Sequence, residues 1–168
     1  MKNIFIYILL IVICLVGCDS NMTSLPSQMP EDFSFTLTFG FDGFYDSKTG
    51  VLKNGYNYDL NCECQTTLFL SESQLREIYE LFFSCYFDKY DEKVIVSEDL
   101  MDPSYDIKIT CVAGGKTTNV TIYGASSITL DEWTNSGKLG KAYYTIVNEY
   151  IKSSEEFKSL PPNQKIYE

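Results

Sequence analysis

Histidine is absent from all 168 residues. The usual general base for a serine or cysteine nucleophile is therefore missing, and so are imidazole-ligated metal sites. Basic residues are also scarce. There are 13 Lys and Arg against 23 Asp and Glu, a formal net charge of −10. Such an acidic surface repels phosphate backbones and anionic lipid heads, which argues against nucleic acid as a partner. No Gly-x-Ser-x-Gly elbow occurs, although Ser126-Ser127 follows shortly after Gly124. There is no internal repeat. The apolar run Ile4–Val16 holds thirteen residues, short of the roughly 20 that a membrane-spanning helix needs.

What is present starts with that run. Lys2 precedes it, and Leu15-Val16-Gly17-Cys18 closes it. A positive charge, an apolar stretch, Leu three places before the cut, Gly just before it and Cys after it resemble the signal and lipobox of a bacterial lipoprotein. The resemblance covers residues 1–18. It implies cleavage after Gly17, a diacylglycerol on the Cys18 thiol and attachment to the extracytoplasmic face of a membrane. Each buried acyl methylene contributes about 0.8 kcal/mol, and one chain alone holds only marginally. The two or three chains of a lipoprotein give stable attachment to the bilayer. Asp19 resembles the inner-membrane retention signal of enterobacterial lipoproteins, so the choice of inner or outer membrane depends on the host envelope. Removing residues 1–17 from 168 leaves 151, and the loss of Lys2 takes the net charge from −10 to −11. That length suits one domain with a sizeable core.

Residues 18–32 read as the lipidated cysteine and a flexible tether. Positions 19–32 are polar, with Pro26 and Pro30, and as a free coil they reach roughly 20 Å. Residues 33–168 read as one globular domain and carry nearly all of the chain's 13 Tyr and 11 Phe, as packed strands require. Phe33, Phe35, Leu37 and Phe39 alternate with small polar residues, which predicts a strand. Asp46 and Gly50 bracket a turn, and Val51 to Leu52 returns from it. Asn54-Gly55 predicts a second hairpin. Tyr56 to Leu70 then reads as a long strand, with Leu60, Cys62, Cys64, Thr66 and Leu68 on the core face.

Ser71-x-x-Gln74 fits a capping box, and Leu75, Ile78, Phe82 and Cys85 follow at helical spacing, widened by Tyr79 and Tyr86. Val94-Ile95-Val96 reads as a brief strand inside an acidic loop. Tyr105 to Cys111 and Thr117 to Tyr123 read as strands joined at Gly114-Gly115. Ser136 precedes a second helix with Leu139, Tyr143, Ile146, Val147 and Tyr150 on one face. Phe157 is placed to hold the tail, and the last residues read as loose. The fold class expected is α+β: a mainly antiparallel sheet of about 5–6 strands with two helices on one face.

Four cysteines follow Cys18, and alternation points Cys62, Cys64, Cys85 and Cys111 inward. They read as buried thiols or as a disulfide joining Cys62 or Cys64 to Cys85 or Cys111. Cys62 and Cys64 lie too close on one strand to bridge each other comfortably. A thiolate metal site from Cys62, Cys64 and Cys85 is the weaker alternative. Asp42 to Asp46 does not have the spacing of a calcium loop and reads as a hairpin end. Glu98, Asp99 and Asp102 are a better oxygen-rich candidate for a divalent cation, although they read first as a solvated acidic loop. No cofactor, metal or catalytic residue is indicated. The function this supports is a membrane-anchored, non-enzymatic binding or interaction module whose partner is an envelope protein or an extracellular ligand. The alternatives are an envelope hydrolase using carboxylates or a metal, and an immunity-type lipoprotein.

Overall fold

A computed structural model describes residues 25–90, 92–95, 106–124 and 137–164. Leu15-Val16-Gly17-Cys18, Glu98, Asp99, Asp102, Ser126-Ser127, Ser136 and residues 165–168 lie outside the described residues. The fold is α+β. Strands β1 (Ser34–Phe39), β2 (Gly43–Asp46), β3 (Val51–Asn57) and β4 (Cys62–Thr67) precede helix α1 (Glu72–Ser84). Then come β5 (Lys93–Ile95), β6 (Ile107–Ala113), β7 (Lys116–Tyr123), helix α2 (Lys138–Thr145) with a π-helical extension Ile146–Ile151, and the short helix α3 (Glu155–Lys158).

The strands form one seven-stranded sheet in the order β4-β3-β2-β1-β6-β7-β5. Six of them pair antiparallel, and β5 adds a parallel edge against β7. Alternation sets the two faces. Phe35, Leu37 and Phe39 of β1, Tyr45 of β2, Leu52 of β3 and Ile107, Ile109 and Cys111 of β6 are all buried. The register places Leu37 beside Tyr45 and Ile109, so these side chains form rows on one face. Ser34, Thr36, Thr38 and Thr110 stand on the other face, only partly covered.

The helices cover the apolar face. Ser71 accepts from the Gln74 amide and the Gln74 side chain accepts from the Ser71 N–H, so the expected capping box starts α1. Ile78, Tyr79 and Phe82 of α1 are buried. Phe82 meets Phe35 at 5.7 Å and Phe87 at 4.9 Å, and Tyr79 meets Phe33 at 4.9 Å, ring to ring. Tyr86 does not widen this stripe. It has left the helix with φ 55° and is 42% exposed. In α2 and its extension, Leu139, Tyr143, Ile146 and Val147 are buried as expected. The wider π-helical turn then carries the stripe from Tyr150 to Ile151, which is fully buried. Tyr150 instead reaches α1, donating to Glu77 at 2.6 Å. That bond stabilises the protonated phenol and pushes its pKa up to about 12.

Three expectations are corrected. Asn54-Gly55 does not turn the chain; β3 runs through it, and the turn comes at Tyr58–Asn61. The core face assigned to the following strand fails at its start, where Leu60 is 59% exposed and Cys62 is exposed. Leu60 belongs to the turn, and Cys62 opens an edge strand. The tether does not extend to residue 32. Leu25 joins the core, and the Pro26 carbonyl accepts from the Tyr79 hydroxyl at 2.5 Å. The Asp32 carboxylate accepts from the Gly114 and Gly115 amides at 2.8 and 2.6 Å. Tether-like polarity there reflects residues that satisfy backbone donors, not residues free of the domain.

Candidate functional site

The described residues hold a cleft of about 510 Å³ beside β3, lined by Asp42, Lys53, Gly55, Tyr56, Tyr58 and Glu63. Its geometry comes from an irregularity in β3. Lys53 pairs with Gln65 and Tyr56 with Glu63, so three steps along β3 match two along β4. This is a β-bulge, one extra residue in the strand. In a regular strand Lys53 and Tyr56 would face opposite ways. The extra residue reverses the alternation, so Lys53, Tyr56 and Glu63 share the face that no helix covers, while Asn57 turns inward and is buried. Gly55 makes this possible. Its φ of 98° belongs to glycine, and a Cβ there would meet Asn163 at 2.3 Å.

A bulge leaves backbone groups without ladder partners, and buried ones must find others. The C-terminal segment supplies them. The Tyr56 N–H donates to Asn163 Oδ1 at 3.3 Å, and the Tyr56 carbonyl accepts from the Gln164 N–H at 2.9 Å. Asn57 Nδ2 donates to the Pro162 carbonyl at 3.0 Å, and Asn54 Nδ2 to that of Pro161 at 3.3 Å. The Gln164 side chain accepts from the Tyr58 and Asp59 amides and donates to the Asp59 carboxylate. Phe157 holds the start of this segment against Phe39, with ring centroids 6.0 Å apart. The expected anchoring by Phe157 is thus present, but the chain beyond it is a strap as far as Gln164.

Within the cleft, Tyr56 and Tyr58 stand edge to face at 5.0 Å. The Tyr56 hydroxyl donates to Asn61 Oδ1 at 2.7 Å. Lys53 Nζ and Glu63 Oε2 are 2.9 Å apart. Both ends of that pair reach water, so it contributes only about 0–1 kcal/mol to stability, and its value lies in placing a donor and an acceptor side by side. Asp42 enters from the β1–β2 turn, and Phe41 next to it is 40% exposed. A second hollow, near Asp32, Asp46 and Thr110, differs in kind. Its polar groups already serve the fold: Asp32 holds the β6–β7 turn, Asp46 accepts from Lys48 N and Thr49 Oγ1, and Thr110 bonds Asn119.

The cysteines do not enter the cleft lining. Cys62 is exposed on β4, whereas Cys64, Cys85 and Cys111 are buried, and all four are free thiols. Burial pushes the Cys85 and Cys111 thiols up to about 12 and raises that of Cys64. Cys85 caps α1, with its thiol donating to the Phe82 carbonyl. Asp42 and Asp46 lie at opposite ends of β2 and do not converge. Among the described residues no group of three Cys, Asp or Glu side chains is placed to hold a metal ion. Sequence reading missed Lys53, Tyr56, Tyr58 and Glu63. The one available signal was the Asn and Asp content of Asn57–Asn61, which favours a turn there. Comparison of the chain with protein-family models and with curated proteins gives no match.

Proposed function

We propose that the protein is an extracytoplasmic lipoprotein, held to a bacterial membrane by acylated Cys18, that works as a non-enzymatic binding module through the β3–β4 cleft. The observation that carries the binding role is the bulge. It turns Tyr56 onto the open face beside Lys53 and Glu63, and a strap of the chain's own residues keeps it there. The opposite, helix-covered face is a filled apolar core. Glu63 is ion-paired to Lys53, which sets an acceptor beside a donor for holding a ligand by hydrogen bonds.

The anchor reading rests on Leu15-Val16-Gly17-Cys18. No described helix is long and apolar enough to cross a membrane. Leu25 packs into the domain, so the described chain is held to the core from its first residue. Leu25 and Pro26 sit by the Gly114–Gly115 end of the sheet, since Pro26 packs on Gly114. The Asp42 and Tyr58 turns lie at the other end, about 20 Å away along the six residues of β1. The start of the described chain and the cleft thus lie at opposite ends of the sheet.

Two measurements test this. Cys18→Ser should move the protein from the membrane to the soluble fraction, and the amino-terminal peptide of the wild type should carry the mass of its acyl chains. An unchanged membrane fraction would remove the anchor. A photo-crosslinking residue at position 58 in intact cells should give adducts that the same residue at position 110, on the open face away from the cleft, does not. Equal labelling at both positions would remove the cleft as the binding surface.

A further inference from the structure

We propose that the cleft binds a saccharide, with the Tyr58 ring as the surface on which a sugar face stacks. This rests on the cleft being the binding surface and goes on to name its ligand. The first support is the ring itself. Tyr58 is 57% exposed, yet it is braced: Tyr56 meets it edge to face at 5.0 Å, and the Tyr58 amide is bonded to Gln164 at 2.9 Å. Tyr56 in turn is fixed at its hydroxyl by Asn61 and at its backbone by Asn163 and Gln164. A rigid exposed ring loses little conformational freedom when a flat, partly apolar ligand covers it. The C–H face of a pyranose is such a surface.

The polar lining points the same way. Lys53 donates only, and the carboxylates of Asp42 and Glu63 accept only. A hydroxyl does both, so adjacent sugar hydroxyls match this mixed rim, with charge assistance at each contact. Charge argues against other small ligands. Two carboxylates to one ammonium, in a chain of net charge −10, disfavour phosphates and carboxylates. A cation close to Glu63 would have to displace Lys53 from 2.9 Å. A neutral polyhydroxyl ligand meets neither obstacle. The volume of about 510 Å³ falls within the range of small-ligand sites, and the cleft is open to solvent, so an inner unit of a longer chain could enter.

The test uses the purified full-length protein on a glycan array, followed by calorimetric titration of any glycan retained. Retention is expected. Tyr58→Ala should weaken it about tenfold or more, while Tyr58→Phe, which keeps the ring, should stay within about threefold. Tyr58→Ala gives up only the edge contact with Tyr56, so both variants should keep one cooperative unfolding transition close to the wild-type midpoint, which excludes misfolding as the cause. No retained glycan, or retention equal in wild type and Tyr58→Ala, would overturn the proposal. A titration with tetramethylammonium, read by amide shifts, separates the two readings. Shifts confined to β3 and β4 without glycan binding would overturn the saccharide and keep the cleft as a site. Absence of any effect from either probe would count against both.

Discussion

Two parts of this molecule are fastened by different forces. On the helical side of the sheet, Phe33, Phe35, Tyr79, Phe82 and Phe87 pack ring against ring. At the β3–β4 corner, the strap Pro161–Gln164 is held almost wholly by hydrogen bonds to backbone and amide groups. Apolar burial is non-directional and scales with area, so the core tolerates variation in angle and punishes loss of volume. Hydrogen bonds are directional and individually modest, so the corner is fixed in geometry at low total stability. A binding surface needs that geometry, and the low-stability parts of a protein are where such surfaces are found.

Thiol chemistry should break the two apart most sharply. At pH 8, a thiol whose pKa is raised from 9 to about 12 has about a thousandfold less thiolate than an ordinary one, before burial slows access further. Alkylation followed by peptide mapping should mark Cys62 rapidly and Cys85 and Cys111 only on unfolding. Rapid labelling of Cys85 in the native protein would mean that the core opens as readily as the corner.

Truncating the core should cost most in free energy. Phe82→Ala should lower unfolding stability by about 3–5 kcal/mol in a denaturant titration, because it opens a cavity between three aromatic rings. Ending the chain after Leu160 should act locally. Amide exchange in β3 and β4 should accelerate about tenfold or more while β1, β6 and β7 keep their protection. Equal acceleration across the whole sheet would show that the strap supports the entire fold, not the corner alone.

Ser71→Ala should cost about 1 kcal/mol by removing the cap of α1. The smallest effect is expected at Asp32. The Gly115 amide first, and then the Gly114 amide, hold its carboxyl below the usual range. The stability it contributes is present above its unfolded pKa near 3.8 and is lost as pH falls through the lower folded value. Asp32→Asn should therefore lower stability slightly above about pH 4 and leave it unchanged at more acid pH, which flattens the acid side of the stability profile. An unaltered acid slope would mean that these two bonds contribute nothing.

Much of the fold could be read from local pattern. The alternation Phe33–Phe39 gave β1 its buried face, Ser71 and Gln74 marked the start of α1, and Gly114-Gly115 marked the β6–β7 turn. Asp46 and Gly50 closed the turn they were assigned, with Gly50 at φ 73°. Period and cap are properties of a few adjacent residues, and hydrophobic burial enforces them wherever the element packs. The site could not be read in this way. Asn54-Gly55 has the composition of a hairpin, and the same left-handed glycine serves a bulge.

By itself the sequence determined a one-sided sheet, a capped helix over it and an acidic chain without histidine. Only the tertiary structure decided which way Tyr56 points. The groups that settle it, Asn163 and Gln164, lie more than a hundred residues further along the chain. No local propensity reports a backbone partner that arrives from so far away, and the free donors and acceptors of the bulge are satisfied only once that partner has docked.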